Sequence, residues 1–398
     1  MSFADRVSRI QPSVTLELSA KAKALKKAGQ SVINLSVGEP DFPTPENIQQ
    51  AAIQAMRDGH TKYTASSGIP ELRLAVAERL NSFWKTEYNV DHIVIGCGAK
   101  HTIANTVLAT CQRGDEVIIL SPYWVSYPEM VHLAHADAVI VPLRSENNFK
   151  LQPEDLRKYI TPKTRLIIFN SPSNPTGVAY EREDLEPLIP VLAESGIWIA
   201  SDEIYSRLIY EGRDHNSFAQ FPEIHDRLVL IDGWSKAYSM TGWRIGFLAA
   251  PKNLASAVGK IQSHTTSHAS SIAQYAALEA IRGPETELMR MVEEFQARRD
   301  LAHAMVNEIP AISCRLPEGA FYLFVDVTAY LNGHIGDREI RTSYDLCAFL
   351  LDDYKLAVVP GSAFGAEGFI RISYAASREE VREGIDRLAR GLSMLSTG

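Results

Sequence analysis

Seven short apolar runs constrain this chain more than any other feature of its sequence. They occupy residues 92–95, 116–120, 138–143, 165–169, 197–200, 228–231 and 244–249, each of strand length. Helix-like patterns lie between several of them, as at residues 100–111 and 182–194. Strands that are apolar along their whole length are covered on both faces. Strands that alternate with helices pack as a mainly parallel sheet, because each helix carries the chain back across one face. The expected core is an α/β, mainly parallel seven-stranded sheet with helices on both faces. Ligands of such sheets sit beyond the carboxyl ends of the strands. Polar residues just past each run are therefore the candidates for chemistry.

After about residue 280 the pattern changes. Residues 284–308 read as a long charged helix, 321–327, 356–359 and 369–374 as strands, and 343–351 and 378–394 as helices. This is the pattern of a smaller α+β domain. The first 45 residues hold a helix and a short apolar run at 32–35, suited to pack with that domain. The expected division is a large domain at 46–284 and a small one made of 1–45 with 285–398. With 398 residues, 45% of them hydrophobic, the chain can bury both cores.

Bulk properties narrow the function classes. Net charge is −8 and both signs are interspersed, which argues against a nucleic-acid surface. Lys21, Lys23, Lys26 and Lys27 alternate with alanines and Leu25, as on the solvated face of a helix. No apolar stretch approaches the ~20 residues that span a bilayer, and no signal peptide is read at the start. Cys97, Cys111, Cys314 and Cys347 form no Cys-x-x-Cys pair, so neither a zinc nor a redox motif is suggested. They read as buried thiols of a cytoplasmic protein. His132 and His135 lack further ligands at metal spacing, and no metal site is expected.

Four segments follow strand-like runs. Lys236 lies in Gly-Trp-Ser-Lys-Ala-Tyr-Ser-Met-Thr-Gly-Trp-Arg-Ile-Gly, residues 233–246. Its neighbours are small, aromatic or apolar. Desolvation there lowers a lysine's pKa and makes its amine a nucleophile, suited to a Schiff base with an aldehyde cofactor. A structural lysine is the alternative. Asp202, in Ser-Asp-Glu-Ile-Tyr, has two readings: a buried carboxylate facing a cationic ring nitrogen, or a helix N-cap. Residues 170–177, Asn-Ser-Pro-Ser-Asn-Pro-Thr-Gly, are either a turn or a rigid support for an amide. Gly96–His101 joins a strand to a helix, where small residues let amides approach a phosphate. It fits neither the dinucleotide fingerprint nor the P-loop, since His101 stands at the third glycine position.

Together these segments resemble the class I aminotransferases, pyridoxal-phosphate enzymes of fold type I. Asn174, Asp202, Tyr205, Lys236, Arg244 and Arg371 occur in that family's order and local contexts, between Gly38-Glu39-Pro40-Asp41-Phe42 and Gly368-Phe369-Ile370-Arg371. The resemblance implies pyridoxal 5'-phosphate bound covalently to Lys236, with Asp202 at the ring nitrogen. It implies Asn174 and Tyr205 at the phenolic oxygen, and Trp124 stacked on the ring. The phosphate cup would comprise the amides of Gly98, Ala99 and Lys100, Arg244, and Tyr63 from a neighbouring subunit. Arg371 would grip the substrate α-carboxylate, and the backbone of Gly38 would lie over the substrate. Cis peptides are implied at Ser121–Pro122 and Asn174–Pro175. One departure stands out. Many relatives carry serine three positions before the lysine, as a phosphate contact, whereas this chain has Gly233, with Ser235 nearby as a substitute.

The likeness extends to a bacterial aspartate aminotransferase subgroup, through Pro12-Ser13-Val14-Thr15 and Lys100. Lys100, Ser13 and Thr15 would then grip the substrate's distal carboxylate, with 2-oxoglutarate as acceptor and ping-pong kinetics. Aromatic, alanine and prephenate aminotransferases are the alternatives within the family. A C–S lyase or cyclising synthase shares the scaffold, as does the sensing half of some transcription regulators. The family precedent is a homodimer with shared sites, to which residues 263–271 would also contribute.

Overall fold

The structure is a computed structural model that describes residues 3–12 and 14–396. All seven apolar runs are strands of one sheet: β1 (Ile93–Gly96), β2 (Glu116–Ser121), β3 (Asp137–Pro142), β4 (Thr164–Asn170), β5 (Trp198–Asp202), β6 (Leu228–Gly233) and β7 (Gly246–Ala249). Their order across the sheet is β1-β7-β6-β5-β4-β2-β3. β2 to β6 run parallel to one another. β7 is antiparallel to both β6 and β1. The link between β6 and β7 explains this. It holds only a turn of 3-10 helix, Thr241–Trp243, and no crossover helix.

Both faces of the sheet are buried, as the unbroken apolar runs require. Val117, Ile119, Leu166, Ile168, Val229 and Ile231 pack on one side with Ile103 and Val107 of helix Ala99–Thr110. Ile118, Ile167, Ile199, Leu228 and Leu230 pack on the other with Leu72 and Val76 of helix Pro70–Trp84. The register places Asn170 beside Asp202, and Gly233 beside Gly246. Thus the ends of β4, β5 and β6 deliver their polar residues to one edge.

A second, antiparallel sheet joins Val359–Pro360, Phe369–Ser373, Tyr322–Asp326 and Ser313–Cys314. Helices Thr286–Asn307, Ser343–Tyr354 and Arg378–Ser393 accompany it. Ile33–Asn34 pairs in parallel with Leu356–Ala357, so the early part of the chain docks on the late part. A small hairpin, Gly333–Ile335 with Arg338–Ile340, was not foreseen from sequence. His135 lies just past helix Tyr127–Leu133 in the left-handed region, so it does not share a helix face with His132. Among the described residues, no helix is long and apolar enough to cross a membrane.

Candidate active site

Lys236 sits in the loop after β6, where its Nζ donates to the carbonyl of Gly38 at 2.6 Å. Burial, with Arg371 and Arg244 nearby, outweighs the carboxylates of Glu39 and Asp202 and pushes its amine down to about 8. A lysine so placed is a free base far more often than a surface lysine at neutral pH. Gly38 is confined as well: a Cβ there would lie 2.6 Å from the Tyr322 hydroxyl.

Asp202 ends β5 and is 3% exposed. Its Oδ2 accepts from the Tyr127 hydroxyl at 2.6 Å and its Oδ1 from the amide of Ile204 at 3.2 Å. No helix begins there, so the N-cap reading fails and the carboxylate closes a turn. Burial raises Asp202 to about 6, against the pull of those two donors and of the Lys236 cation. A buried carboxylate with neutral donors alone is suited to a cationic ring nitrogen.

Asn174 and Arg371 are bonded to each other. Arg371 Nη1 donates to Asn174 Oδ1 at 2.9 Å, and its Nη2 to the carbonyl of Ser36 at 2.7 Å. Its guanidinium carbon lies 4.4 Å from the ring centre of Tyr322 and 5.0 Å from that of Phe364. The buried Nε has no partner among the described residues. A buried arginine with a donor to spare can take a carboxylate. Asn170 fixes the amide of Asn174 through its side-chain oxygen at 2.9 Å. The peptides Ser121–Pro122, Ser171–Pro172 and Asn174–Pro175 are cis, one more than the resemblance implied. The Tyr205 hydroxyl shares a 2.8 Å hydrogen bond with that of Tyr322.

The turn before helix Ala99–Thr110 has the chemistry to receive an anion. Gly98 caps the helix at φ 89°, and the amides of Ala99 and Lys100 have no partner among the described residues. A Cβ on Gly98 would come within 2.8 Å of Arg244 Nη2, and one on Gly246 within 2.5 Å of the Ala99 amide nitrogen. Glycines thus let a guanidinium and free helix amides converge. Gly233 is closed to a side chain, because its Cβ would meet Gly246 Cα at 2.8 Å. Ser235 is buried, with its hydroxyl unpaired among the described residues.

A model of the aminotransferase class I and II family matches residues 30–388. The chain belongs to the class I and II aminotransferases. It is 45% identical over 391 residues to an aspartate aminotransferase of Bacillus subtilis (strain 168), covering 98% of each chain. It is 46% identical over 392 residues to an aspartate/prephenate aminotransferase of Cereibacter sphaeroides, again covering 98% of each. The solved aspartate aminotransferase of Rhizobium meliloti superposes with a TM-score of 0.96 at 42% identity, with 100% of both chains covered. That of Thermus thermophilus with maleate gives 0.92 at 37% identity, covering 98% of this chain and 100% of that one.

The remaining residues of this aminotransferase surround the same centre or lie apart from it. Trp124 stands edge-to-face on Tyr127 at 5.4 Å, and Lys100 Nζ lies 4.8 Å from the Trp124 ring centre. Partial burial and the Arg244 cation lower the Lys100 amine. Tyr63 is 90% exposed and packs edge-to-face on His268, within residues 263–271. Thr15 lies in the first turn of the helix Val14–Lys27, while Ser13 lies outside the described residues. Sequence reasoning missed Tyr127 and Tyr322. Tyr127 lies in the same aromatic-rich segment as Trp124, Tyr123–Tyr127, which could have flagged it. Tyr322 and Phe324 share one face of their strand, beside Arg371 on the next.

Proposed function

We propose that this aminotransferase uses pyridoxal 5'-phosphate to move the amino group of L-aspartate to 2-oxoglutarate. The observation that carries the reading is the convergence of a depressed lysine, a buried carboxylate without a hydrogen-bonded cation, and a buried arginine with a free donor. Lys236 would hold the cofactor, Asp202 its ring nitrogen, Asn174 and Tyr205 its phenolic oxygen, and Trp124 its ring face. The Gly98, Ala99 and Lys100 amides, Ser235, Arg244 and a neighbour's Tyr63 would hold its phosphate. The bound cofactor supplies an electron sink for the charge that develops at the substrate Cα.

The chain's own residues do the rest. Arg371 binds the α-carboxylate beside Gly38 and so fixes which Cα bond faces Lys236. Lys236 Nζ, with its pKa near neutrality, takes the Cα proton and later gives it up. Tyr127 holds Asp202 ionised, and Tyr322 orients Tyr205 and Arg371. Because both substrates use one site in turn, kinetics are ping-pong. Lys100 beside Trp124, with Ser13 and Thr15, receives the distal carboxylate. The names of the Bacillus and Rhizobium relatives support aspartate. Prephenate is the second reading, supported by the Cereibacter relative.

The division into residues 46–284 and 1–45 with 285–398 belongs to this proposal, with the substrate between the two units. So does a homodimer: the exposure of Tyr63 suits a residue that serves the partner's phosphate site. Four unpaired cysteines suit a reducing, cytoplasmic setting. The test is a set of rates with aspartate, alanine and phenylalanine against 2-oxoglutarate, and with prephenate as acceptor. Aspartate should be the best donor, and the yellow protein should bleach with it. A colourless protein that never takes up pyridoxal phosphate would overturn the reading, as would a fully active monomer for the shared site.

A further inference from the structure

Asp232 is a part-buried carboxylate, four residues before Lys236, to which the mechanism above gives no role. Its Oδ2 accepts from the hydroxyl of Ser206 at 2.7 Å, and its Oδ1 from the amide of Gly233 at 2.6 Å. Ser206 follows Tyr205, and Gly233 opens the loop that ends in Lys236. The last sheet bond between these two segments, the Glu203 amide to the Ile231 carbonyl, lies before both loops. Past that bond, the carboxylate of Asp232 bridges them.

The other charged groups that face Asp232 are already engaged. Glu203 Oε1 accepts from Ser201 at 2.9 Å and Ser217 at 2.6 Å, and its Oε2 lies 2.7 Å from His215 Nε2. Glu203 therefore does not compete for the Gly233 amide. Gly233 itself cannot carry a side chain, because Gly246 lies against it. Its amide is held by Asp232, so a fixed loop here depends on the neighbouring carboxylate.

We propose that Asp232 is a positioning residue, a clip that holds the Lys236 loop in register with the Tyr205 loop. It touches neither substrate nor cofactor, and it acts through the amide of Gly233 and the hydroxyl of Ser206. This rests on Lys236 being the reactive amine. An asparagine can keep both bonds, its oxygen accepting from Gly233 and its amide donating to Ser206. An alanine keeps neither.

The test compares Asp232→Ala, Asp232→Asn and Ser206→Ala in the cofactor-loaded enzyme and in the cofactor-free protein. Small displacements of a reacting group cost large factors in rate, so Asp232→Ala should lower kcat by about tenfold or more with KM for the amino donor moved by less than about threefold. Asp232→Asn should restore kcat to within about threefold, and Ser206→Ala should fall between. In the cofactor-free protein, Lys236 should react with an amine-directed reagent at a half-maximal pH raised by about one in Asp232→Ala, toward an ordinary lysine. A purely structural role would lower the melting temperature and leave that pH unmoved. A folded Asp232→Ala protein with wild-type kcat and wild-type lysine reactivity would overturn the proposal. Should that variant not fold, Ser206→Ala with both quantities unchanged would do so. Wild-type protein that takes up no pyridoxal phosphate would instead overturn the functional reading, and the reagent titration would still judge the clip.

Discussion

Removing one hydroxyl, by Tyr127→Phe, should weaken cofactor binding without disturbing the fold. Tyr127 and Asp202 are both almost fully buried, and their 2.6 Å bond is the shorter of the two that Asp202 accepts. The substitution preserves the ring and its edge-to-face contact with Trp124. It leaves Asp202 Oδ2 without a donor among the described residues. A buried hydrogen bond to a charged group contributes roughly 1.5–3 kcal/mol. That energy favours the ionised carboxylate, so its loss raises the half-ionisation pH of Asp202 by roughly one to two. Since burial already holds Asp202 at about 6 in the cofactor-free protein, the variant would be half or more protonated at pH 7. Titrating the cofactor-free protein with pyridoxal phosphate by absorbance gives the affinity as a function of pH. Kd at pH 7 should rise by about 2- to 10-fold, and the gap should narrow at higher pH, where the carboxylate ionises again. Equal affinities across pH would refute the claim that Tyr127 sustains the charge on Asp202.

Three further outcomes follow from the same geometry. Asp202→Asn should nearly abolish turnover yet leave the cofactor-free protein more heat-stable. A pKa raised from 3.8 to about 6 means that the favourable contribution is present below the unfolded value and lost as pH rises through about 6, a cost at pH 7 of up to about 3 kcal/mol. Melting scans at pH 7 and pH 4 should show the gain at the former only. Arg371→Lys should lower kcat/KM for aspartate by roughly 10- to 100-fold, since a point cation replaces the planar fork and leaves Asn174 Oδ1 or Ser36 O without its donor. Steady-state rates with aspartate and with a donor lacking the distal carboxylate should fall together. Gly233→Ser should lose about 1–3 kcal/mol of stability to the clash with Gly246, read by urea unfolding.

How much of this was legible in sequence depends on the range of the physics involved. All seven strands of the main sheet were visible as apolar runs; burial on both faces explains this for all but the edge strand β3, which is largely exposed or half-buried. The reversal of β7 was not, since strand direction depends on the path of the 234–245 link rather than on the residues of the strand. Lys236, Asp202 and Arg371 were singled out as candidates by their order and local motifs, and the structure brings Arg371 and Asn174 into contact across 197 positions of chain. The partners Tyr127 and Tyr322 were not read out. Each is an aromatic residue in an apolar setting, and only folding shows which hydroxyl faces which acid or arginine. The helix-cap reading of Asp202 could be dropped only once the segment after it proved to be a turn and not a helix. The absence of serine at position 233 looked like a defect in the phosphate cup. Geometry gives another reason: two backbones meet there.

That meeting of backbones has an evolutionary consequence. Gly233 lies against Gly246, Gly246 against the amide of Ala99, and Gly98 against Arg244. At Gly233 and Gly246 main chain meets main chain, so a side chain at either position has no room. On the proposed function, selection for a new donor or acceptor would work instead through side chains such as Lys100, Trp124 and Tyr322. In a saturation library substitutions at these glycines should be depleted under any selection, while variants at those side chains divide by substrate. One chain thus keeps its chemistry fixed while its preference drifts.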